Sequence, residues 1–498
     1  MPILKFPLDV PQSMGRFWLS GADPDQARSD GNCRVEGRSI DIEVVSPLTE
    51  WMSPANPKIV DGDLVIHGML AVQPGPVTFL GARTITRAGL LVPSSGDTSE
   101  FHGLRAEWCV TGAHIDGLET QFTAVRARFT HLELWARTNV IQLKQRLKPS
   151  LQSTMIFTPI EAIEVPFQSF EEDGRLRVTT DGSIGPPGPW GSHINTRDWL
   201  ELDRLSGWTL EEALARFVRP IQILLTLLAG EDCSVTHLEV KVNDQWCAVY
   251  GDAVQSTAPL PENEKLLMDR EAMPLEKLAV WCEVANRLAP TPHVVGSSVG
   301  SEFATLDAEA LALTTTAEGL DRVLYPDSRR FDEGQVAASI KALKASEVPD
   351  QVREAIVAAL NQYFYEDTYP VRMKRLADSV AEAVPRCVGK TSKWKGEIAN
   401  LRIGLAHALD QNAGSTDAEI WTMHARVRSL RWAILLRLLL EAGVPAKTLS
   451  AAVEASRRFQ RDERIWRTRL PKVFPISDDA PAEANSPTEP AHGATTQP

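Results

Sequence analysis

The sequence predicts an α+β, multidomain protein in which a β-rich N-terminal domain is followed by an all-α domain. Two observations carry this prediction. Short runs of β-branched and aromatic residues recur between turn signals over the first ~250 residues, as strands require. From about residue 302 onward Ala, Leu, Glu, Lys and Arg dominate, which is typical of helices. At 498 residues, the chain is also too long for one ordinary domain.

The strand prediction rests on seven segments of the first half. They are Ser39–Val45, Asp63–Gly68, Val77–Leu80, Leu104–Thr111, Arg128–Trp135, Arg175–Thr180 and Val235–Val242. Within Phe129–Trp135 the apolar and polar residues alternate from Thr130 to Leu134. This alternation predicts a strand with one buried face.

One helix interrupts the strands. Thr209 and Glu212 have the spacing of a capping box, in which each residue satisfies a backbone N–H of the other. We expect this helix to kink or restart at Pro220 and to end at Gly230.

The second half contains seven segments with helical composition. They are Phe303–Val323, Asp332–Ala345, Asp350–Phe364, Tyr369–Ala383, Ser392–Asp410, Thr416–Ala442 and Pro445–Trp466. Polar, Pro-containing breaks at 251–264 and 289–301 flank a helix-like stretch, Lys265–Leu288. We therefore predict four parts of the chain. They are a β-rich domain over 1–255, a linker with a helix over 256–301, a helical domain over 302–474 and a disordered tail over 475–498.

Charge is distributed unevenly along the chain. The formal net charge is −13, yet Val371–Leu470 holds 19 Lys and Arg against 10 Asp and Glu, a local net charge of +9. Such asymmetry predicts that one region meets a polyanion and the rest does not. A solvated basic helix face would have the same composition, so this second interpretation stays open.

Composition also excludes several classes of protein. No apolar stretch has the length of a membrane span, and the N-terminus lacks the basic start and apolar core of a secretory signal. We therefore expect a cytoplasmic protein. The six cysteines are scattered without CxxC or CxH spacing, so we predict neither a metal site nor a cofactor.

A candidate catalytic pair lies in the basic half. Arg402 precedes His407 by five positions on a predicted helix, which is about 140° around the helix axis. A histidine can move a proton on or off the 2′-hydroxyl or the leaving 5′-oxygen of RNA. An arginine can hold the phosphate and stabilise its added negative charge. Lys393 and Lys395 lie about two turns upstream, where they can contact RNA.

Several strings resemble those of known anti-phage proteins. In the second half, two strings resemble the HEPN domain of ApeA-type proteins, namely Tyr369–Leu376 (YPVRMKRL) and Leu401–His407 (LRIGLAH). In the first half, two pairs of strings resemble the ApeA N-terminal domain. They are Gly112–Gly117 (GAHIDG) with Phe129–Trp135 (FTHLELW), and Pro220–Gly230 (PIQILLTLLAG) with Val235–Val240 (VTHLEV).

The resemblance, which spans about residues 10 to 470, implies a bacterial abortive-infection protein. It implies that a HEPN-like helical-bundle domain acts as a metal-independent endoribonuclease on an RNA substrate. The N-terminal domain would sense a phage-derived trigger or regulate the nuclease. HEPN nucleases pair two domains so that two Arg-x4-His motifs form one cleft, which implies a homodimer. Only Arg402 and His407 are carried over as catalytic residues.

One departure from the family pattern leaves an alternative open. Ile403 stands where HEPN motifs place a polar residue, and Asn400, about 20° from the same helix face as His407, is a candidate substitute. The protein is then either a nuclease or a catalytically degenerate HEPN protein that binds RNA or a partner. Without the resemblance, an adaptor whose β-rich half binds protein or carbohydrate is a third possibility. The apolar stretch Trp432–Leu440 fits either a dimer interface or a buried helix.

Overall fold

The computed structural model describes most of the chain between residues 13 and 475. The gaps are at 37–38, 47, 49–63, 72–74, 92–97, 139, 147–151, 159–161, 185–193, 256–264, 301–302, 363–365 and 408–415. The predicted tail lies outside the described residues. The predicted α+β organisation is confirmed, because the described strands end at Gly251 and the residues after them are helical apart from one isolated β-bridge.

Fifteen strands are described in the N-terminal half. They are β1 (Ser13–Leu19), β2 (Ser29–Glu36), β3 (Ser39–Val44), β4 (Leu64–Leu70), β5 (Gly75–Leu91), β6 (Thr98–Ala106), β7 (Trp108–Thr111), β8 (Phe122–Phe129), β9 (Ile141–Arg146), β10 (Gln152–Phe157), β11 (Ile163–Ser169), β12 (Glu172–Ile184), β13 (Ile194–Trp208), β14 (Val235–Val242) and β15 (Gln245–Gly251).

Thirteen of these strands form one antiparallel sheet, and β9 and β10 pair separately. The order is β11-β12-β13-β8-β14-β15-β7-β5-β4-β1-β2-β3-β6. Because β5 also pairs with β6, the last six strands close into a ring. Phe17, Ile42, Phe79 and Leu104 are buried in its apolar interior. The remaining strands form an open sheet that packs against helices.

Two short helices lie among the strands and the others follow β13. They are α1 (Pro24–Ala27), α2 (Leu132–Ala136), α3 (Leu210–Ala213), α4 (Arg219–Ala229), α5 (Leu275–Arg287), α6 (Thr291–Val299), α7 (Leu306–Leu324), α8 (Glu333–Lys344), α9 (Asp350–Gln362), α10 (Tyr369–Ala381), α11 (Pro385–Val388), α12 (Thr391–His407), α13 (Asp417–Glu441), α14 (Ala446–Ala455) and α15 (Arg457–Arg469). Among the described residues, none of these helices combines the length and hydropathy needed to span a membrane.

The predicted capping box is confirmed at the start of α3. The backbone N–H of Glu212 donates to the Thr209 hydroxyl over 3.2 Å, and the backbone N–H of Thr209 donates to the Glu212 carboxylate over 3.0 Å. A π-helical turn over Leu214–Val218 joins α3 to α4 directly before Pro220. Pro220 has no N–H and would crowd the preceding turn of a regular helix, so the wider turn accommodates it.

Four local predictions are wrong. Pro445–Trp466 is not one helix, because Ser456 separates α14 from α15, and only Leu275–Arg287 of the helix-like stretch Lys265–Leu288 is helical. The stretch Phe129–Trp135 is not a strand, because β8 ends at Phe129 and α2 follows. Leu132 and Trp135 are buried at helical spacing, and the Trp135 indole donates to the Met273 carbonyl over 3.1 Å. The predicted break at 289–301 contains α6, whose Pro292 stands in the first turn, where a missing N–H costs nothing.

A continuous apolar core joins the open sheet to the helices. Leu200 of the sheet, Leu224 of α4, Trp281 of α5 and Leu435 of α13 all belong to it. The Trp281 indole also donates to the Pro220 carbonyl over 2.7 Å. The predicted division into a domain, a linker and a second domain remains a prediction, and this core crosses both of its boundaries.

A half-buried arginine fastens the last helix to the N-terminal half. The Arg458 guanidinium of α15 donates to the Leu227 carbonyl at the C-terminal end of α4 over 3.0 Å and lies 4.8 Å from the Trp432 ring centre. Burial lowers the pKa of Arg458 to about 10, so it stays charged at neutral pH. Gly230 ends α4 with a φ of +79°, and a Cβ there would lie 1.7 Å from Nη1 of Arg458. The positive charge also suits the C-terminal end of the helix dipole.

The apolar stretch Trp432–Leu440 is buried inside the protomer. Trp432, Ile434, Leu436 and Leu439 have almost no exposed surface, because α13 runs through the middle of the helical region. The buried-helix interpretation is confirmed. The alternative, that this stretch forms a dimer interface, is wrong.

Candidate active site

One helix, α12, carries all five residues that the sequence singles out for catalysis or RNA binding. They are Lys393, Lys395, Asn400, Arg402 and His407. His407 is the last residue of α12, and its side chain lies outside the described part of the structure. The helical backbone places positions 402 and 407 about 140° apart around the axis.

Two polar contacts fix how α12 packs on α13. The Trp394 indole donates to the Ser429 hydroxyl over 2.8 Å, and the Arg426 guanidinium donates to the Glu397 carboxylate over 3.0 Å. Moving three residues forward on α12 thus corresponds to moving three residues back on α13, so the helices are antiparallel. The same register puts Arg402 level with Trp421.

Arg402 is held between two neighbouring helices. Its guanidinium forms an ion pair with the Glu318 carboxylate of α7 and lies 4.5 Å from the ring centre of Tyr369, the first residue of α10. About a third of the side chain, 36%, is still exposed. A guanidinium clamped by a carboxylate and a ring has little freedom to move, while its exposed part can meet a ligand.

Tyr369 is itself fixed in position. Its hydroxyl donates to the Thr314 carbonyl of α7 over 3.3 Å. Burial raises the pKa of this hydroxyl above its usual value, although the charge of Arg402 acts in the opposite direction. The ring is therefore a neutral surface on which the guanidinium rests, and cation–π attraction contributes about 0.5–2 kcal/mol at such sites.

Glu318 shares its charge with a second arginine. Arg322 lies 3.3 Å from the Glu318 carboxylate and 2.8 Å from that of Glu366. Arg402 thus stands at the end of a row of alternating charges along α7, and its positive charge is partly balanced before any ligand arrives.

The row continues into a buried cluster between α7 and α10. The Asp321 carboxylate accepts hydrogen bonds from Arg372 over 3.2 Å and from Arg375 over 2.6 Å. Arg375 also donates to Asp367 over 2.7 Å. Burial alone would raise the pKa of Asp367, but the hydrogen bonds from Ser328 and Arg375 lower it. Much of the basic excess of this region is therefore used inside the helical bundle.

The remaining polar candidates face solvent. Lys393 and Asn400 are exposed and Lys395 is half-buried. Within the described residues, none of the three side chains has a hydrogen-bond or ion-pair partner. They are free to contact an anionic ligand. Their distances to the His407 imidazole lie outside the described part of the structure.

Three large apolar side chains close to Arg402 along these two helices are exposed. Ile403 is 55% exposed, and Ile420 and Trp421, near the start of α13, are 46% and 47% exposed. The register of α12 and α13 puts Trp421 level with Arg402. We call Ile420 and Trp421 the apolar patch. Ile403 is the residue that replaces a polar one in the HEPN pattern, so its exposure fits a contact with another surface.

Sequence analysis missed the two residues that hold Arg402. Tyr369 is the first residue of the YPVRMKRL string. The resemblance of that string to HEPN domains could have pointed to Tyr369, but no local pattern did. Glu318 lies 84 positions before Arg402 in a helix with no distinctive motif. No cluster of three metal-ligating side chains occurs among the described residues.

The N-terminal half of the chain matches a known protein family. Residues 15–246 match the family model described as ApeA N-terminal domain 1. The N-terminal half is an ApeA-type N-terminal domain. This match covers the closed ring of strands, the open sheet up to β15 and the helices α3 and α4. It confirms the resemblance in the N-terminal half, and an ApeA N-terminal domain suggests a role in anti-phage defence. No curated protein and no solved structure matches the chain.

Proposed function

We propose that this ApeA-type protein is an anti-phage effector that acts in the cytoplasm, and that its helical region is a HEPN-type, metal-independent endoribonuclease. The observation that carries the proposal is the placement of Arg402. Its guanidinium is clamped by Glu318 and Tyr369, remains partly exposed, and lies on the helix that ends at His407. The ApeA N-terminal domain supports the defensive role and its control by a phage-derived trigger.

The proposed chemistry needs only groups that the chain supplies. The His407 imidazole takes the proton of an RNA 2′-hydroxyl, and the 2′-oxygen attacks the adjacent phosphorus. Arg402 binds the phosphate and stabilises the charge that gathers on it. The bond from phosphorus to the 5′-oxygen breaks, and that oxygen takes a proton from an imidazolium, which the His407 of a second protomer would supply. The products are a 2′,3′-cyclic phosphate and a free 5′-hydroxyl.

RNA cleavage should persist when divalent metal is removed. Purified full-length protein would be incubated with total bacterial RNA in EDTA, and the ends would be identified by their sensitivity to a cyclic-phosphate hydrolase. We expect cleavage at an unchanged rate and cyclic ends, because a His and an Arg suffice for the transfer. Complete inhibition by EDTA that Mg²⁺ reverses would contradict the proposed chemistry.

The mechanism also favours a homodimer. Cleavage needs both a base and an acid, and one motif has a single imidazole. A two-fold axis beside α12 would supply two, and would bury the same patch from both protomers. The apolar patch is available for this interface, since it is exposed and Trp421 is level with Arg402.

A charge placed in the apolar patch should weaken this dimer. We expect Trp421→Glu to raise the dimer dissociation constant at least tenfold, because a buried aromatic anchor commonly contributes 2 kcal/mol or more, roughly. The matched control is Val352→Glu on α9, where an equally exposed apolar residue lies far along the chain from the patch. Sedimentation of both variants at micromolar concentration would measure the change. A wild-type monomer that still cleaves RNA would contradict the two-motif cleft.

Neutralising Glu318 should tighten RNA binding. The Glu318 carboxylate forms an ion pair with the Arg402 guanidinium and so competes with a phosphate for it. Glu318→Gln should therefore raise RNA affinity about three- to tenfold at low salt. Glu382→Gln is the control, since Glu382 is exposed and forms no ion pair with any described residue. Filter binding at several salt concentrations gives the comparison. Weaker RNA binding by Glu318→Gln would mean that the carboxylate is needed to hold Arg402.

The second candidate function is a degenerate HEPN protein that binds RNA or a protein without cleaving it. One observation favours it: the exposed Ile403 offers no polar atom to orient His407. The EDTA experiment separates the two, because a binding protein would retain intact RNA.

A further inference from the structure

A polar cavity lies where the β-rich half meets the helices. Its volume is about 760 Å³. The walls come from the start of β7, the loop before β14, the residues after β15, and helices α4 and α6. A volume of this size is within the range of about 300–1,000 Å³ that small-molecule sites occupy.

One wall of the cavity, which we call the cationic wall, takes its positive charge from Arg219. Arg219, the first residue of α4, forms no hydrogen bond or ion pair with any described residue. His293 stands in the first turn of α6 and also has no hydrogen-bond partner among the described residues. Both side chains line the same cavity, and burial and the charge of Arg219 lower the pKa of His293. Free donors that converge in this way suit an anionic group such as a phosphate.

Another part of the lining is aromatic and acidic. Trp108 pairs with Gly251 across β7 and β15, and a Cβ at Gly251 would lie 2.3 Å from the Trp108 ring. The close approach requires a glycine and fixes the indole. Asp252 follows directly, and it forms no ion pair with any described residue. An aromatic ring beside an unpaired carboxylate can stack on a flat ring and accept its N–H groups.

The rest of the lining is held by its own hydrogen bonds. The Gln222 amide donates to the Cys233 carbonyl over 2.8 Å, and the Cys233 N–H donates to the Thr226 hydroxyl over 3.1 Å. The Ser234 hydroxyl donates to the Gln255 amide oxygen over 2.9 Å. These groups form a rigid frame, and Arg219, His293 and Asp252 have hydrogen-bonding capacity left for a ligand.

We propose that the cavity binds a nucleotide, with the phosphates on the cationic wall and the base on the wall formed by Trp108 and Asp252. Guanine fits better than adenine, because its ring N–H and amino group lie side by side and both can donate to one carboxylate. The site is independent of Arg402 and His407, so its occupancy can be measured whether or not the chain cleaves RNA.

The cavity also offers a route to the helical region. Helix α6 supplies His293 to the wall, and the buried Arg431 of α13 donates to the Ser298 carbonyl at the other end of α6 over 2.8 Å. α13 in turn holds α12 through Ser429 and Arg426. A ligand that moves α6 would therefore act on the helices that carry the candidate active site.

Calorimetric titration of the full-length protein with GTP, guanosine and ATP tests the proposal. We expect GTP to bind in the micromolar range and more tightly than ATP. Arg219→Gln should weaken GTP binding about 10- to 100-fold and leave guanosine binding nearly unchanged, because only GTP has phosphates. Asp252→Asn should weaken both GTP and guanosine about tenfold and remove the preference over ATP.

The control is Arg464→Gln on α15, an exposed arginine that forms no ion pair with a described residue and does not line the cavity. It should bind GTP like the wild type. Both test residues are exposed, and melting temperatures would show that the variants are folded. No binding of GTP to the wild type at about 1 mM, or binding that neither substitution weakens, would overturn the nucleotide site. Equal affinity for GTP and ATP would overturn the placement of the base on Asp252.

Discussion

Replacing Arg402 by alanine is expected to lower RNA cleavage by about 100- to 10,000-fold. The guanidinium is the group placed to bind the scissile phosphate, and loss of one such electrostatic contact in a cleft commonly costs at least 100-fold. His407→Ala should have an effect of about the same size, because it removes the proton-transfer group. Single-turnover cleavage of a defined RNA, together with phage plating on cells that express each variant, would measure both.

Two controls make this result specific to the site. Arg464→Ala removes an exposed arginine elsewhere on the helical region and should retain full cleavage. Tyr369→Phe keeps the ring under Arg402 and removes only the hydroxyl bond to Thr314, so it should lower cleavage only slightly. Full cleavage by a folded Arg402→Ala or His407→Ala protein would end the catalytic assignment of that residue.

Replacing Asp321 by asparagine is expected to destabilise the protein by about 3–5 kcal/mol. The Asp321 carboxylate is buried between Arg372 and Arg375, and Arg372 is as deeply buried as Asp321. Asparagine keeps the shape but removes the charge, so the two guanidiniums lose the buried carboxylate between them and keep only Glu366 and Asp367 as ion-pair partners. Equilibrium urea unfolding followed by circular dichroism would give the change in free energy.

The matched control for Asp321 is Asp378→Asn on α10. Lys374 and Asp378 form an ion pair of 2.5 Å in which both side chains are more than two-fifths exposed. Exposed pairs contribute about 0–1 kcal/mol, so this variant should unfold almost like the wild type. Similar losses in the two variants would show that burial of the Asp321 cluster does not set its contribution.

The helices of the second half could be predicted closely because helical periodicity is local. The predicted Tyr369–Ala383 corresponds to α10 over Tyr369–Ala381, and Thr416–Ala442 to α13 over Asp417–Glu441. The failures came where distant residues decide the structure. Trp135 turns a strand-like string into α2 by reaching the carbonyl of Met273, 138 positions away.

The candidate site was predictable in part for the same reason. Arg402 and His407 lie in one short string, so their spacing can be read from the sequence. The residues that give Arg402 its environment are contributed by other helices. Glu318 and Tyr369 become its neighbours only when α7 and α10 pack beside α12, and no local pattern records that packing.

The contact between Arg458 and the end of α4 restricts how chains of this kind can exchange parts. A hybrid that joined this helical region to an unrelated sensor would leave the Arg458 guanidinium without the Leu227 carbonyl and without the space that Gly230 provides. Burying that cation without a partner would be costly. A transplantable cassette must therefore include α4 and the glycine that ends it. Recombination at the apparent boundary near residue 300 should yield hybrids that fail to fold, whereas the two halves can diverge together as one inherited unit.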